Sequence, residues 1–210
     1  MTVGDAPPLL PPSPPASYCA AARGHPVHGP YHDHEYGVPV REDDRLFERL
    51  VLEINQAGLS WLTILKKRDA FRRAYDGFAV VRVAAYGDAD RARLLADPGV
   101  VRNRLKVAAA IENARRILGL RETHGSFAGW LDAHVRDARG VARDRAAWER
   151  LFKQAFVFTG GQIVHEFLVS TGYLPGAHDP GCPAYARTLA CDPPWRRAAD
   201  RSATVAPPPG

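Results

Sequence analysis

The chain has only 3 cysteines in 210 residues, and an odd number cannot close completely into disulfides. A disulfide-stapled secreted scaffold is therefore excluded, and a reducing, cytoplasmic setting is the default expectation. No apolar run approaches the ~20 residues that a membrane-spanning helix needs, so no membrane partner is expected. The N-terminus has no basic stretch followed by an apolar core, and no secretory signal is read there. No internal repeat is found. Strand-like alternation of apolar and polar residues is nearly absent.

What remains is helical and basic. The hydrophobic fraction of 46% is enough to supply one core. The net charge of +5, with Arg far ahead of Lys, suits an anionic partner, and nucleic acid is the first candidate. GC-rich coding also favours Arg, Ala and Pro, so charge alone does not decide. Residues 1–17 are rich in proline and, like residues 201–210, read as disordered tails around a single helical domain over 18–200.

Periodicity and caps predict an all-α fold. Asp43 or Asp44 is expected to cap a helix running to about residue 57, where Gly58 stops it. Ser60 is expected to cap a helix over 61–75. Further helices are expected over 89–96, 103–120, 127–135, 144–156 and 161–170.

Two Cys–His pairs lie at opposite ends of the chain: Cys19 with His32, and His178 with Cys182. Neither pair completes a tetrahedral shell. Together they make Cys₂His₂, a ligand set typical of structural zinc. Spacing leaves the matter open, because cysteine is also a small buried hydrophobe and 8 histidines make chance neighbours common. A catalytic metal on His32, His34 and Glu35 is the competing reading. It would need an open coordination position, which two Cys and two His would close. Cys191 has no evident partner.

Two other segments carry chemistry. Residues 97–106 place Gly99 in a tight turn between two helices, with Arg102, Arg104 and Lys106 at the start of the second. Free N–H groups and the dipole at a helix N-terminus attract phosphate. The segment resembles a helix-hairpin-helix that grips the DNA backbone without reading sequence, although an ordinary helix–helix turn has the same composition. In Leu52-Glu53-Ile54-Asn55-Gln56-Ala57-Gly58-Leu59-Ser60-Trp61, Glu53 falls at the edge of an apolar face. A carboxylate there suits a flat cationic ligand, with Trp61 as a stacking plane. A hydrogen-bonded structural Glu beside a core Trp is the alternative.

Taken in order, these segments resemble the 3-methyladenine DNA glycosylase I (TAG type) family. The resemblance rests on Tyr31-His32-Asp33 with Glu35 and Gly37-Val38-Pro39, on the block Gln56-Ala57-Gly58-Leu59-Ser60-Trp61, and on Leu65-Lys66-Lys67-Arg68. Gly99-Val100-Val101-Arg102-Asn103, Asn113-Ala114, Phe156, Phe158, Gly160, Ile163 and Phe167 extend it. It runs from about Cys19 to Cys182. It implies a helix-hairpin-helix glycosylase with a structural zinc held by Cys19, His32, His178 and Cys182. It also implies Glu53 as the catalytic, base-recognising residue, Trp61 stacking on the base, and Tyr31 and Tyr36 lining the pocket. Gly99, Arg102, Arg104 and Lys106 would touch DNA.

The implied activity is base excision repair by a monomer on double-stranded DNA containing alkylated bases. The N-glycosidic bond of a flipped alkylated purine, 3-methyladenine above all, would be hydrolysed. No lysine is placed by any motif as a Schiff-base nucleophile, so the expected enzyme is monofunctional. The chain departs from the family pattern at His28, Tyr36, Ile54 and Gly160-Gly161-Gln162. Ile54 would narrow the pocket and Tyr36 would remove ring area, which points to a shifted base preference. A non-catalytic binder of alkylated or abasic DNA, or an enzyme of free nucleobases, are the alternatives from other classes.

Overall fold

A computed structural model describes residues 17–203. Residues 1–16 and 204–210 of the two expected tails lie outside the described residues. In chain order the helices are α1 (Tyr18–Ala22), α2 (His28–His34), α3 (Asp43–Gln56), α4 (Trp61–Ala74), α5 (Val80–Ala84) and α6 (Asp88–Ala96). They continue with α7 (Arg104–His124), α8 (Phe127–His134), α9 (Arg145–Ala155), α10 (Gly161–Ser170), α11 (Pro183–Ala190) and α12 (Pro194–Ala203). Among the described residues the only β feature is an isolated bridge between Arg136 and Ala142. The all-α expectation holds.

Local chemistry explains most boundaries. The Ser60 hydroxyl accepts from the Thr63 amide at 3.2 Å and starts α4. The Asp144 carboxylate accepts from the Ala147 amide at 2.8 Å and starts α9. Gly58, at φ +81°, turns the chain after α3 in a conformation that side chains with a Cβ resist. The start of α3 differs from expectation. Its first residue is Asp43, preceded by Glu42. Asp43 instead accepts from Arg121 at 2.7 Å and from the Phe127 amide at 2.8 Å, and Asp44 accepts from the Val80 amide at 3.0 Å. Both acids serve tertiary contacts.

The short helices α1, α2, α5 and α11, and also α12, were not anticipated. Helices of one to three turns carry little periodicity to read, and such segments depend on packing rather than propensity. The last of them, α12, runs through residues 201–203, where the expected tail begins.

α3 is the centre of the fold, in contact with α4, α7, α8 and α10. Leu46, Phe47, Leu50, Val51 and Ile54 are fully buried on it, as the periodicity requires. Its polar face is buried as well: Glu48, Arg49, Glu53 and Asn55 are all inside. Two of these are satisfied by an ion network. Arg68 makes a two-pronged contact with Glu35 at 2.7 Å per prong and also reaches Glu48 at 2.6 Å, while Arg49 donates to Glu35 at 3.0 Å. Burial alone would raise the Glu35 pKa, but the Arg68 contact and the Arg49 charge bring it below the usual range. Glu35 is thus committed to arginines, and the catalytic-metal reading of His32, His34 and Glu35 finds no geometry here.

Candidate functional site

Glu53, Tyr31, Tyr36 and Trp61 line one cavity of about 250 Å³, together with Tyr18, Gln56 and Glu166. α3 supplies Glu53 and Gln56 from its last turn, α4 supplies Trp61 at its first residue, and α2 supplies Tyr31. The Tyr31 and Trp61 rings meet edge to face at 5.2 Å, and the Tyr31 and Tyr36 centroids are 5.8 Å apart. The Arg49 guanidinium lies 4.7 Å from the Tyr31 ring centre. The Tyr31 hydroxyl is buried without a hydrogen-bond partner among the described residues, a polar atom left for something that enters. A neighbouring hollow of similar size shares Glu53, Gln56 and Glu166, and adds Gly58, Leu59, Gln162 and Ile163. Neither hollow is lined by lysine. A wider hollow between α8 and α12 has one carboxylate, Asp132, which already accepts from Arg41 and Tyr173.

Glu53 is 4% exposed. Its pKa is pushed up to about 8, first by burial and then by the Glu166 charge, against the opposing Arg49 guanidinium. An empty pocket therefore favours a protonated Glu53. A positive charge placed against it would offset what burial takes from the carboxylate.

Cys19, His32, His178 and Cys182 are brought together from the two ends of the chain. Their ligand atoms all lie within 4.8 Å of one another, and all four residues are buried. His32 Nδ1 lies 2.8 Å from the Asp33 carboxylate, and His178 Nε2 donates to the Tyr36 carbonyl at 2.8 Å. Those bonds put the ring protons on the outer nitrogens. The inner nitrogens, 3.2 Å apart, then face each other as lone pairs. Such an arrangement repels unless a cation sits between them, so the four residues fit a metal ion. The Asp179 amide donates to Cys19 Sγ at 3.4 Å, a bond that suits a thiolate.

The hairpin segment joins α6 to α7, and these helices pack together. Arg102 and Arg104 are exposed at its end. Gly99 approaches α4 so closely that a Cβ would stand 2.9 Å from that of Ala70. The expected role of Lys106 is corrected. It is buried, and its ammonium donates to the carbonyls of Asn55 at 3.0 Å and Ala57 at 2.6 Å, at the end of α3. A cation there satisfies carbonyls that the helix leaves open. Two of the amides at the α7 N-terminus, Leu105 and Lys106, are likewise taken, by the Asn103 side chain at 3.0 and 3.1 Å.

A sequence profile described as methyladenine glycosylase matches residues 21–185. The chain belongs to the methyladenine glycosylase family. Among characterised family members, DNA-3-methyladenine glycosylase 1 of Escherichia coli (strain K12) is 34% identical over 180 residues, 80% of this chain and 96% of that protein. A crystal structure of a 3-methyladenine DNA glycosylase I variant in complex with 3-methyladenine superposes with a TM-score of 0.71 at 33% identity, covering 80% of this chain and 96% of that one. The 3-methyladenine DNA glycosylase I of Staphylococcus aureus gives 0.70 at 33% identity, covering 80% and 95%.

Within this methyladenine glycosylase, three pocket residues escape a sequence reading. Gln56 lies inside the matching block but without a stated role. Tyr18 reaches the cavity from α1, and its hydroxyl lies 3.2 Å from His28 Nδ1. Glu166 enters from α10, over a hundred residues from Glu53 in sequence, and no local signal marks it. Conversely, Ile54 is fully buried in the core and lines neither hollow, so it does not narrow the pocket. Adjacent residues on a helix point about 100° apart, which is why Glu53 and Ile54 part company.

Proposed function

We propose that this chain is a monofunctional DNA glycosylase that excises 3-methyladenine in base excision repair. The carrying observation is the convergence of one buried carboxylate and four aromatic rings on a single cavity, in a chain whose relatives are 3-methyladenine DNA glycosylases. A base must leave the duplex to enter such a site, and stacking against Trp61 and Tyr31 offsets the lost stacking in DNA.

N3 methylation makes the adenine cationic while it is attached to the sugar. The C1′–N9 bond breaks, its electron pair moves to N9, and the base departs neutral. Water then adds at C1′ and loses a proton. A leaving group already charged needs little acid catalysis. It needs selection of the cation, and Glu53 supplies this. Ionised against the bound ring, the same carboxylate also favours the positive charge that develops on the sugar. No lysine lines the cavity to form a Schiff base, in keeping with simple hydrolysis.

Cys19, His32, His178 and Cys182 would hold zinc. Bonds of ~2.0–2.3 Å in a tetrahedron give ligand-to-ligand edges of about 3.3–3.8 Å. The inner His–His distance of 3.2 Å and the Cys–His distances of 3.7 and 3.8 Å fit that shell. With four protein ligands the ion has no open position and its contribution is structural. The hairpin with Arg102 and Arg104 would grip DNA phosphates.

The test is release of free 3-methyladenine from methylated duplex DNA by purified protein. Wild type should release it. Glu53→Gln should lose about a hundredfold in kcat/KM, as expected for one preorganised electrostatic group. Trp61→Ala should lose tenfold or more, since each base–aromatic stack is worth ~1–3 kcal/mol. Binding of alkylated DNA without release would favour a non-catalytic damage binder.

A further inference from the structure

Glu166 borders both hollows beside Glu53, and none of the roles above uses its carboxylate. One of its oxygens accepts from the Tyr36 hydroxyl at 3.2 Å, and the other accepts from the Gln162 amide at 2.8 Å. Using both oxygens as acceptors is what an ionised carboxylate does best. The cavity therefore faces a fixed anion from α10 as well as Glu53 from α3. Two carboxylates on one cavity repel unless a proton or a cation lies with them. The other charged or titratable groups facing Glu53 are Arg49 on α3 and the phenols of Tyr18, Tyr31 and Tyr36. Only Arg49 is positive, and it is engaged by Glu35.

We infer that Glu166 is a second specificity-determining residue of the base pocket, whose charge adds to that of Glu53 in selecting a cationic purine over a neutral one. The inference rests on the base-pocket reading given above. Its consequence is a pocket that neutral purines enter at a cost and alkylated, charged purines enter with gain. The bond from Tyr36 joins this charge to the aromatic wall, so the ring and the anion that take the substrate are positioned together. The same charge contributes to the high pKa of Glu53. In the empty site a proton holds the place that the substrate cation takes.

The experiment compares wild type, Glu166→Gln and Glu166→Asp, all checked for an unchanged melting temperature. Tryptophan fluorescence is titrated with 3,9-dimethyladeninium, a permanent cation, and with neutral 9-methyladenine. Wild type should prefer the cation. Glu166→Gln should lose about tenfold in affinity for the cation and none for the neutral base, as for one partly screened charge. Glu166→Asp should recover part of the preference. In parallel, the rise of kcat/KM with pH on methylated DNA should move toward acid in Glu166→Gln, because Glu53 loses a like charge. Equal losses for both ligands, an unchanged preference, or a wild type that does not favour the cation would overturn the inference. A wild type that prefers the cation but releases no base from DNA would overturn the catalytic reading alone.

Discussion

His178 donates from Nε2 to the backbone carbonyl of Tyr36 at 2.8 Å, so one bond joins the Cys–His cluster to the pocket wall. The cluster has a second tether, because its member His32 is the chain neighbour of Tyr31. Both aromatic residues are therefore placed by the same four-residue clasp. The clasp fixes where rings stand, while in the proposed reading recognition falls to Glu53, Trp61 and Glu166, which line the cavity.

Metal removal tests this division. Purified protein should hold one zinc per chain by elemental analysis. Cys182→Ser, or dialysis against a chelator, should lower folding stability by at least about 3 kcal/mol in urea denaturation, since binding to a site absent from the unfolded chain is folding free energy. The fraction that stays folded should keep the shape of its pH–rate profile. Loss of turnover at undiminished stability would make the metal part of the chemistry.

Activity should follow the ionisation of Glu53. Burial and the Glu166 charge hold its pKa at about 8 in the free protein. The carboxylate is the form that attracts a cationic base, so kcat/KM should climb as pH rises through that value and level off above it. A pH profile on methylated DNA measures it directly. A flat profile between the ordinary carboxylate range and pH 8 would contradict the assignment.

Stability should run the opposite way. The folded protein keeps the Glu53 proton up to about pH 8, while the unfolded chain loses it near 4.5. The folded state thus binds the proton more tightly, and stability falls as pH rises between those two values. Gln at this position cannot ionise. Glu53→Gln should therefore match wild type near pH 5 and exceed it by about 1–3 kcal/mol near pH 8.5. Thermal melts at the two pH values would show it, and a variant weaker than wild type at both would refute it.

Basic residues of the hairpin should separate into two kinds. Arg102→Ala and Arg104→Ala should each weaken DNA binding and reduce the steepness of its salt dependence by about one counterion. Lys106→Met should leave the salt slope unchanged and cost about 1–3 kcal/mol of stability, because two carbonyls at the end of α3 lose their donor. Salt titrations of binding, set beside urea melts, distinguish the groups.

The helical class, seven of the helices and the Ser60 cap were legible in the chain alone, because periodicity and capping are local chemistry. The chain also held two Cys–His pairs and a Glu–Trp pair in patterns that pointed to a family. Which polar groups those helices bury, and against what, depends on how they pack in space. Lys106 looked like a phosphate contact because its charge is visible in sequence and its burial is not. Ile54 looked like a pocket residue because it follows Glu53, yet one step on a helix turns it into the core. Glu166 carried no signal at all, since the charge it places beside Glu53 depends on how α10 packs against α3. Electrostatic pairing across a fold is a property of distance in space, and a chain's order does not contain it.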